Sequence, residues 1–258
     1  MHAPTGKEWR LISYLRQYVK EYMPEVQQQM DVYGNLYFTK GRSDDGYPTL
    51  VAHLDQVQQL HSPDFCVKQE AGRLYGWSEV HQQQEGLGAD DKNGIWVCLL
   101  CLAHCPVLKV FLAVGEEKGC IGSYLARMNF FADSLYVLEP DCRGGSEVHT
   151  LLRGIPCASD DLVAALNLAA NGYVLTEGKS SDILALTIRG VGVSCANIPV
   201  GYHLPHQDEE YTMMDELLHT YDFILHIVNT LRECFPYRYV SDTERWATAT
   251  LKGEDVSF

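Results

Sequence analysis

From Trp9 to Tyr22 apolar residues recur at helical spacing (Trp9, Leu11, Ile12, Leu15, Tyr18, Val19, Tyr22), which predicts an amphipathic helix. Asn35 to Thr39 and Thr49 to His53 read as short strands. Lys92 to Cys105 is strongly apolar and stops before Pro106, as a buried helix should. Leu108 to Val114 is the next strand, Ile121 to Met128 suits a short helix, and Ser134 to Leu138 a strand. Ser159 to Asn171 predicts a helix with Ser159 or Asp160 as N-cap and Gly172 just past its end. Ser181 to Ile188 reads as a helix, Val193 to Val200 as a strand and Met213 to Cys234 as a long last helix. The polar tail Arg238 to Phe258 is expected as an edge strand or a mobile segment. Strands alternating with helices imply a sheet covered on both faces. The expected fold is a three-layer α/β/α sandwich around a mainly parallel mixed sheet.

With 258 residues, 46% of them apolar, the chain can bury one large core or two modest ones. No internal repeat, low-complexity tract or Pro/Gly/Ser linker divides it, so one domain over residues 1–258 is expected. Acidic residues outnumber basic ones by 34 to 20, and the net charge of −14 opposes binding to nucleic acid or anionic lipid. No stretch approaches the roughly 18 to 20 consecutive apolar residues that span a bilayer. Residues 1–25 are too charged for a signal peptide. Nine cysteines, an odd number without paired C-x-x-C spacing, include Cys98, Cys101, Cys105 and Cys195 in apolar surroundings, and read as buried thiols. These features predict a cytoplasmic protein with neither a nucleic-acid nor a membrane partner.

Five polar clusters end or follow the apolar runs, where an open α/β sheet gathers functional residues. In Val51 to Asp55, strand alternation puts His53 and Asp55 on one side, where the carboxylate can orient a metal-binding imidazole. Gly86 to Gly94 is a glycine-rich turn into an apolar helix; Asp91 suits an N-cap, while Asp90 is a candidate bridge between two cations, with Lys92 facing away or pairing with an acid. In Val114 to Gly119, Glu116 and Glu117 end a strand side by side. Like charges so close in a cleft require a metal or a proton, so one carboxylate binds metal while the other moves protons. Either Glu139 or Asp141 can serve as a ligand after the strand ending at Leu138, and the loop from Ile198 to Tyr211 offers His203 and His206. Oxygen and imidazole donors in this number fit two divalent ions, zinc first, with cobalt or manganese as alternatives.

Taken in order, these residues resemble the co-catalytic zinc exopeptidases, a group that includes peptidase T, glutamate carboxypeptidases, and glutamyl- and leucyl-type aminopeptidases. The likeness lies in HLD at His53–Asp55, GADDKNG at Gly88–Gly94, GEEKGCIGS at Gly115–Ser123, EPD at Glu139–Asp141 and GYHLPHQDEEY at Gly201–Tyr211, across about residues 50–212. It implies that His53 and Asp141 hold one zinc, Glu117 and His206 the other, and Asp90 bridges them. Glu116 becomes the general base and Asp55 the support of His53. His206 is preferred to His203 because the group's last histidine is followed four residues later by a glutamate, here Glu210; His203 stays open as the alternative.

Members resembling peptidase T carry a lid or dimerisation domain before that histidine, whereas only 64 residues lie between Asp141 and His206. The resemblance therefore implies a bare catalytic domain. Lys179 to Asp182 is similar to a Ser-Asp or Thr-Asp step near the substrate in several of these enzymes, so Asp182 is a candidate for a substrate amine, or else an N-cap. Arg143 is a candidate for a substrate carboxylate, or else an ion-pair partner. His61, His81, His104, His149, His219 and His226 have no acidic companion at ligand spacing and read as surface or core residues. Tyr14, Tyr18 and Tyr22 read as packing on one helix face.

The leading expectation is a metallo-exopeptidase taking short peptides from the amino end. An acyl-amino-acid deacylase or carboxypeptidase-type amidohydrolase on the same site is the alternative, and a non-catalytic metal-binding relative the third reading. A homo-oligomer is compatible with any of them.

Overall fold

The computed structural model describes residues 1–240, so most of the polar tail, from residue 241 onward, lies outside the described residues. Along the first half run α1 (Trp9–Tyr22), β1 (Gln27–Met30), β2 (Leu36–Lys40), β3 (Tyr47–His53), β4 (Phe65–Glu70), β5 (Arg73–Ser78), β6 (Gln83–Glu85), α2 (Ala89–His104) and β7 (Leu108–Ala113). Then follow α3 (Ile121–Tyr124), β8 (Ser134–Cys142), β9 (Glu147–Leu152), β10 (Ile155–Pro156), α4 (Asp160–Leu166), β11 (Val174–Gly178), α5 (Asp182–Ile188), β12 (Cys195–Pro199), β13 (Tyr202–His203), β14 (Tyr211–Met213) and α6 (Met214–Thr230).

The large sheet has the order β1-β2-β7-β3-β8-β12-β9-β10, with β11 also on β9. Its centre, β7-β3-β8-β12, is parallel, and its margins pair antiparallel except for β11 on β9. Alternate residues of the central strands are apolar on both faces. Leu50, Ala52, Val110, Leu112, Leu138 and Ile198 join α1, α2, α4 and α6 in one core, while Val51, Phe111, Val137 and Cys195 join α5 in a second. The chain thus forms the expected three layers, held by two cores of unequal size.

Element boundaries moved for identifiable reasons. The helix expected over 159–171 keeps its Ser159 cap, whose hydroxyl accepts the Leu162 N–H at 3.4 Å. It breaks at Asn167, which takes φ 46°, a left-handed value asparagine tolerates, and continues as a 3-10 turn to Asn171. The helix expected over 121–128 stops at Tyr124, and the last helix stops at Thr230. The strand expected to end at Leu138 runs on through Glu139 and Asp141, residue types disfavoured in strands.

A second sheet, β13-β14-β5-β4 with β6 on β5, was not expected. Its strands are short and half exposed, so they lack the apolar runs that mark a buried strand. A turn signal was present: Ala71 (φ 48°) and Gly72 (φ 81°) are both left-handed, as a two-residue hairpin turn requires. This sheet matters because β13 and β14 flank the loop carrying His206.

All nine cysteines are free, and only Cys66 and Cys234 are not buried, which leaves no disulfide framework. Along α1 the Tyr14 ring stacks on Tyr18, and the Tyr18 and Tyr22 rings meet at a tilt of 40°. No helix among the described residues is long and apolar enough to cross a membrane.

Candidate metal centre

The adjacent ends of β7, β3 and β8 deliver three of the clusters to one place. His53 is the last residue of β3, Glu116 and Glu117 lie on a 3-10 turn after β7, and Asp141 lies in β8. The turn into α2 adds Asp90, and the β13–β14 loop adds His206. His206 itself is left-handed, φ 67°.

Asp90 stands between the two histidines. Its Oδ1 is 2.9 Å from His53 Nε2, and its Oδ2 is 3.1 Å from His206 Nε2. His53 Nε2 is also 3.5 Å from Asp141 Oδ1, and His206 Nε2 is 3.0 Å from Glu117 Oε2. Two triples result, His53–Asp90–Asp141 and Asp90–Glu117–His206, each with ligand atoms within 4.8 Å of one another and with Asp90 in common.

These spacings fit metal ligation. Two donors each about 2.1 Å from one divalent ion stand about 3.0 to 3.4 Å apart at octahedral or tetrahedral angles. The donors are carboxylate oxygen and imidazole nitrogen, suited to zinc and its neighbours. Glu117 Oε1 adds an independent sign: it is buried with no hydrogen-bond partner among the described residues, a costly state that a cation relieves.

The electrostatics agree. Burial and the charges of Asp90 and Glu116 push Asp141 well above the usual carboxylate range. Burial likewise raises Glu116 to about 7, with Asp90 and Glu117 adding to it. Asp90 is held low: burial opposes this, but hydrogen bonds from His206 and His53 outweigh it. His206, bonded to Asp90 and Glu117, is raised to about 10. Without an ion the imidazoles therefore carry protons, and so does part of the acid cluster. An ion needs neutral imidazole and ionised carboxylate, so protons must leave as it binds and affinity must rise with pH. We expect zinc binding at pH 7 to release at least one proton, seen by calorimetry in buffers of different ionisation enthalpy; equal heats in all buffers would contradict this.

Around the triples, neighbouring side chains fix the turns that carry the donors. Asp55, expected to orient His53, stands beside it, with its carbonyl 3.1 Å and its carboxylate 3.5 Å from His53 Nδ1. That carboxylate accepts the Glu116 N–H at 2.9 Å, the Glu117 N–H at 3.3 Å and the Thr5 hydroxyl at 2.8 Å, fixing the glutamate turn. Asp91 does cap α2, accepting the Gly94 N–H at 2.9 Å, and also holds the His53 N–H at 3.1 Å. Lys92 neither faces away nor pairs with an acid; its ammonium donates to Gln56 Oε1 and to Gly88 O at 3.0 Å.

Glu139, the other acid before Pro140, turns from the cluster to accept the Asp182 N–H at 3.0 Å and the Ile183 N–H at 3.3 Å. Asp182 is not the N-cap, which is Ser181; it is the first residue of α5, and both its carboxylate oxygens are buried without a partner among the described residues. Burial and Glu139 push it well above the usual range. His203 points elsewhere, 2.6 Å from Glu216 and stacked on Tyr211. Arg143 is exposed and forms no ion pair among the described residues. Of the other histidines only His149 is buried; it contacts Cys142 Sγ and Thr176, and none joins a triple.

Sequence reasoning missed three supports. Glu210, noted only for its spacing, accepts the Gly88 N–H and, at 3.2 Å, the Asp90 N–H, so it aims the shared acid. Asn197 of β12 brackets the Asp141 backbone with bonds of 3.3 and 3.0 Å, and the Tyr202 hydroxyl donates to Asp141 Oδ1 at 3.3 Å. Only the register of β12 on β8 reveals Asn197; no local pattern does.

Gly94 has no room for a side chain, because a Cβ there would overlap the Asp91 carboxylate and the Pro140 carbonyl. Gly94→Ala should cost about 2 kcal/mol or more through overpacking, measured by urea unfolding. It should also weaken metal binding, since both displaced groups adjoin ligands.

No protein-family model matches this sequence, and no curated protein is significantly similar to it. Solved structures do share its fold. Aminopeptidase PepT from Bacillus cereus ATCC 10987 superposes with a TM-score of 0.70 at 16% identity, over 88% of this chain and 94% of that one. A tripeptidase from Staphylococcus aureus subsp. aureus Mu50 gives 0.69 at 13%, over 90% and 95%. The Pyrococcus horikoshii TET1 peptidase, which can assemble into a tetrahedron or a large octahedral shell, gives 0.66 at 13%, over 90% and 97%. The fold is thus that of known exopeptidases, at an identity where the likeness speaks for the fold alone.

Proposed function

We propose that this chain is a metal-dependent exopeptidase that removes residues from the amino end of short peptides. The observation that carries this reading is Asp90, whose two carboxylate oxygens each face a histidine of a different three-donor cluster. In this reading His53 and Asp141 hold one divalent ion, Glu117 and His206 the other, Asp90 contributes to both, and zinc is the first choice. When bound, such a pair polarises a scissile carbonyl and makes nearby water more acidic.

Glu116 is then the proton carrier. Its backbone N–H is pinned by Asp55, while its carboxylate makes only one hydrogen bond among the described residues, from the Cys120 thiol at 3.4 Å. Without an ion, burial raises it above the usual carboxylate range; a carboxylate at this position can accept a proton from water and return it to the departing amine. Asp182 and Arg143 are the candidate contacts for a substrate amine and carboxylate. We further propose that the chain works without an inserted lid, in a homo-oligomer and in the cytoplasm.

The protein loaded with zinc, cobalt or manganese should be tested against aminoacyl anilides, acyl-amino-acid anilides and short peptides. Release from free-amine substrates supports the proposal. Turnover of acylated substrates alone would replace it with a deacylase, and metal binding without turnover of any substrate would leave a binding protein.

A further inference from the structure

A cavity of about 580 Å³ opens between the start of α1, the small sheet and the first turn of α2, within the range of small-molecule sites. Its apolar walls are Phe65, Val67 and Leu74, and its polar side presents Arg10, Lys92, His2 and His61. No residue lining it is acidic, although the chain has 34 acidic residues against 20 basic.

The cations here touch no acid among the described residues; burial lowers Lys92 to about 8, although Glu210, Asp90, Asp91 and Asp55 lie near enough to favour its charge. Lys92 forms no ion pair among the described residues, and its ammonium has two neutral acceptors, Gln56 Oε1 and Gly88 O, for three N–H groups. Arg10 is exposed and has no ion-pair partner among the described residues. The imidazoles are not the charged groups. His61 stacks between His2, at 4.2 Å, and Phe65, at 4.0 Å, and each histidine's Nε2 lies within 2.8 Å of a backbone carbonyl. Burial, with the neighbouring positive charges, lowers both rings, His61 to about 4, so they form a neutral flat wall. The cavity thus presents the cationic side chains of Arg10 and Lys92, no acidic side chain and an apolar, partly aromatic lining.

We propose that this cavity binds a small molecule with one carboxylate and an apolar body, the carboxylate between Arg10 and Lys92 and the body against Phe65, Val67 and Leu74. A purely polar anion would leave the walls unused, and a neutral molecule would leave Arg10 without an ion-pair partner. Lys92 also holds Gly88 O, at the start of the turn carrying Asp90, so the site backs onto the candidate metal centre.

The test is a titration of the full chain with hexanoate, followed through the imidazole resonances of His2 and His61, with hexanamide and inorganic phosphate as comparisons. Hexanoate should shift both resonances saturably, and each comparison should bind about tenfold more weakly, as loss of a charge-assisted bond or of apolar contact implies. Arg10→Glu, at an exposed position, should weaken hexanoate about tenfold. Val67→Glu, on a residue 56% exposed, puts a carboxylate on the wall and should act likewise. Equal binding of hexanamide would reduce the site to an apolar crevice, and equal binding of phosphate to a plain anion site. No saturable shift, or hexanoate affinity unchanged in both variants, would overturn the proposal, and none of these outcomes bears on the peptidase reading.

Discussion

Replacing Glu116 by glutamine lowers kcat on a free-amine peptide by about a thousandfold, within the usual range for loss of a proton-transfer group, while both metal equivalents stay bound. Glu116 belongs to neither donor triple, so the ions should not notice its loss. Its turn is held through its backbone N–H to Asp55, a bond glutamine preserves. What glutamine cannot do is accept the proton. KM should change little, because the amide occupies the same space. Stopped turnover and atomic absorption on the same sample decide the matter: full activity with full metal removes Glu116 from the mechanism, and loss of metal alongside activity makes it a ligand.

Asp90→Ala should produce the larger loss, because it removes a donor from both triples at once. Each triple would retain two protein donors; His53 would lose its closest carboxylate, and His206 would keep only Glu117. Bound metal should fall from two equivalents to fewer than one, and kcat/KM by about a thousandfold or more, since the charge stabilisation that paired ions supply is worth several kcal/mol. Asp141→Ala and His206→Ala touch one triple each and should each leave one ion. Should Asp90→Ala also keep one tight ion, Asp90 belongs to a single position and the shared-ligand reading fails.

The parallel centre of the fold was legible because each central strand is apolar on both faces, which alternation along Leu50–Val51–Ala52 makes plain. The candidate donors were legible for a related reason: charge at the end of such a strand has no packing role. Less visible was everything whose meaning depends on long-range register. Glu139 and Asp141 are two residues apart on one strand, and only the position of α5 shows that Glu139 serves the Asp182 and Ile183 N–H groups. His203 and His206 are separated by only Leu204 and Pro205, and the pairing of His203 with Glu216 becomes clear only once α6 is placed. The small sheet escaped notice because strands such as Gln83–Glu85 are polar and short, so period and propensity both fall silent.

That small sheet has a consequence for how the two proposed ions come and go. The His53–Asp90–Asp141 triple stands on the central strands and the α2 turn, with the His53 side chain 1% exposed, whereas His206 is 50% exposed on a loop fastened by β13, β14 and β5. Local opening of a short hairpin is less demanding than opening the core of a sheet. The ions should therefore load in sequence, the inner one first and the outer one last. A chelator should strip them in reverse, on two timescales, the faster set by breathing of the hairpin and the slower by the fold itself.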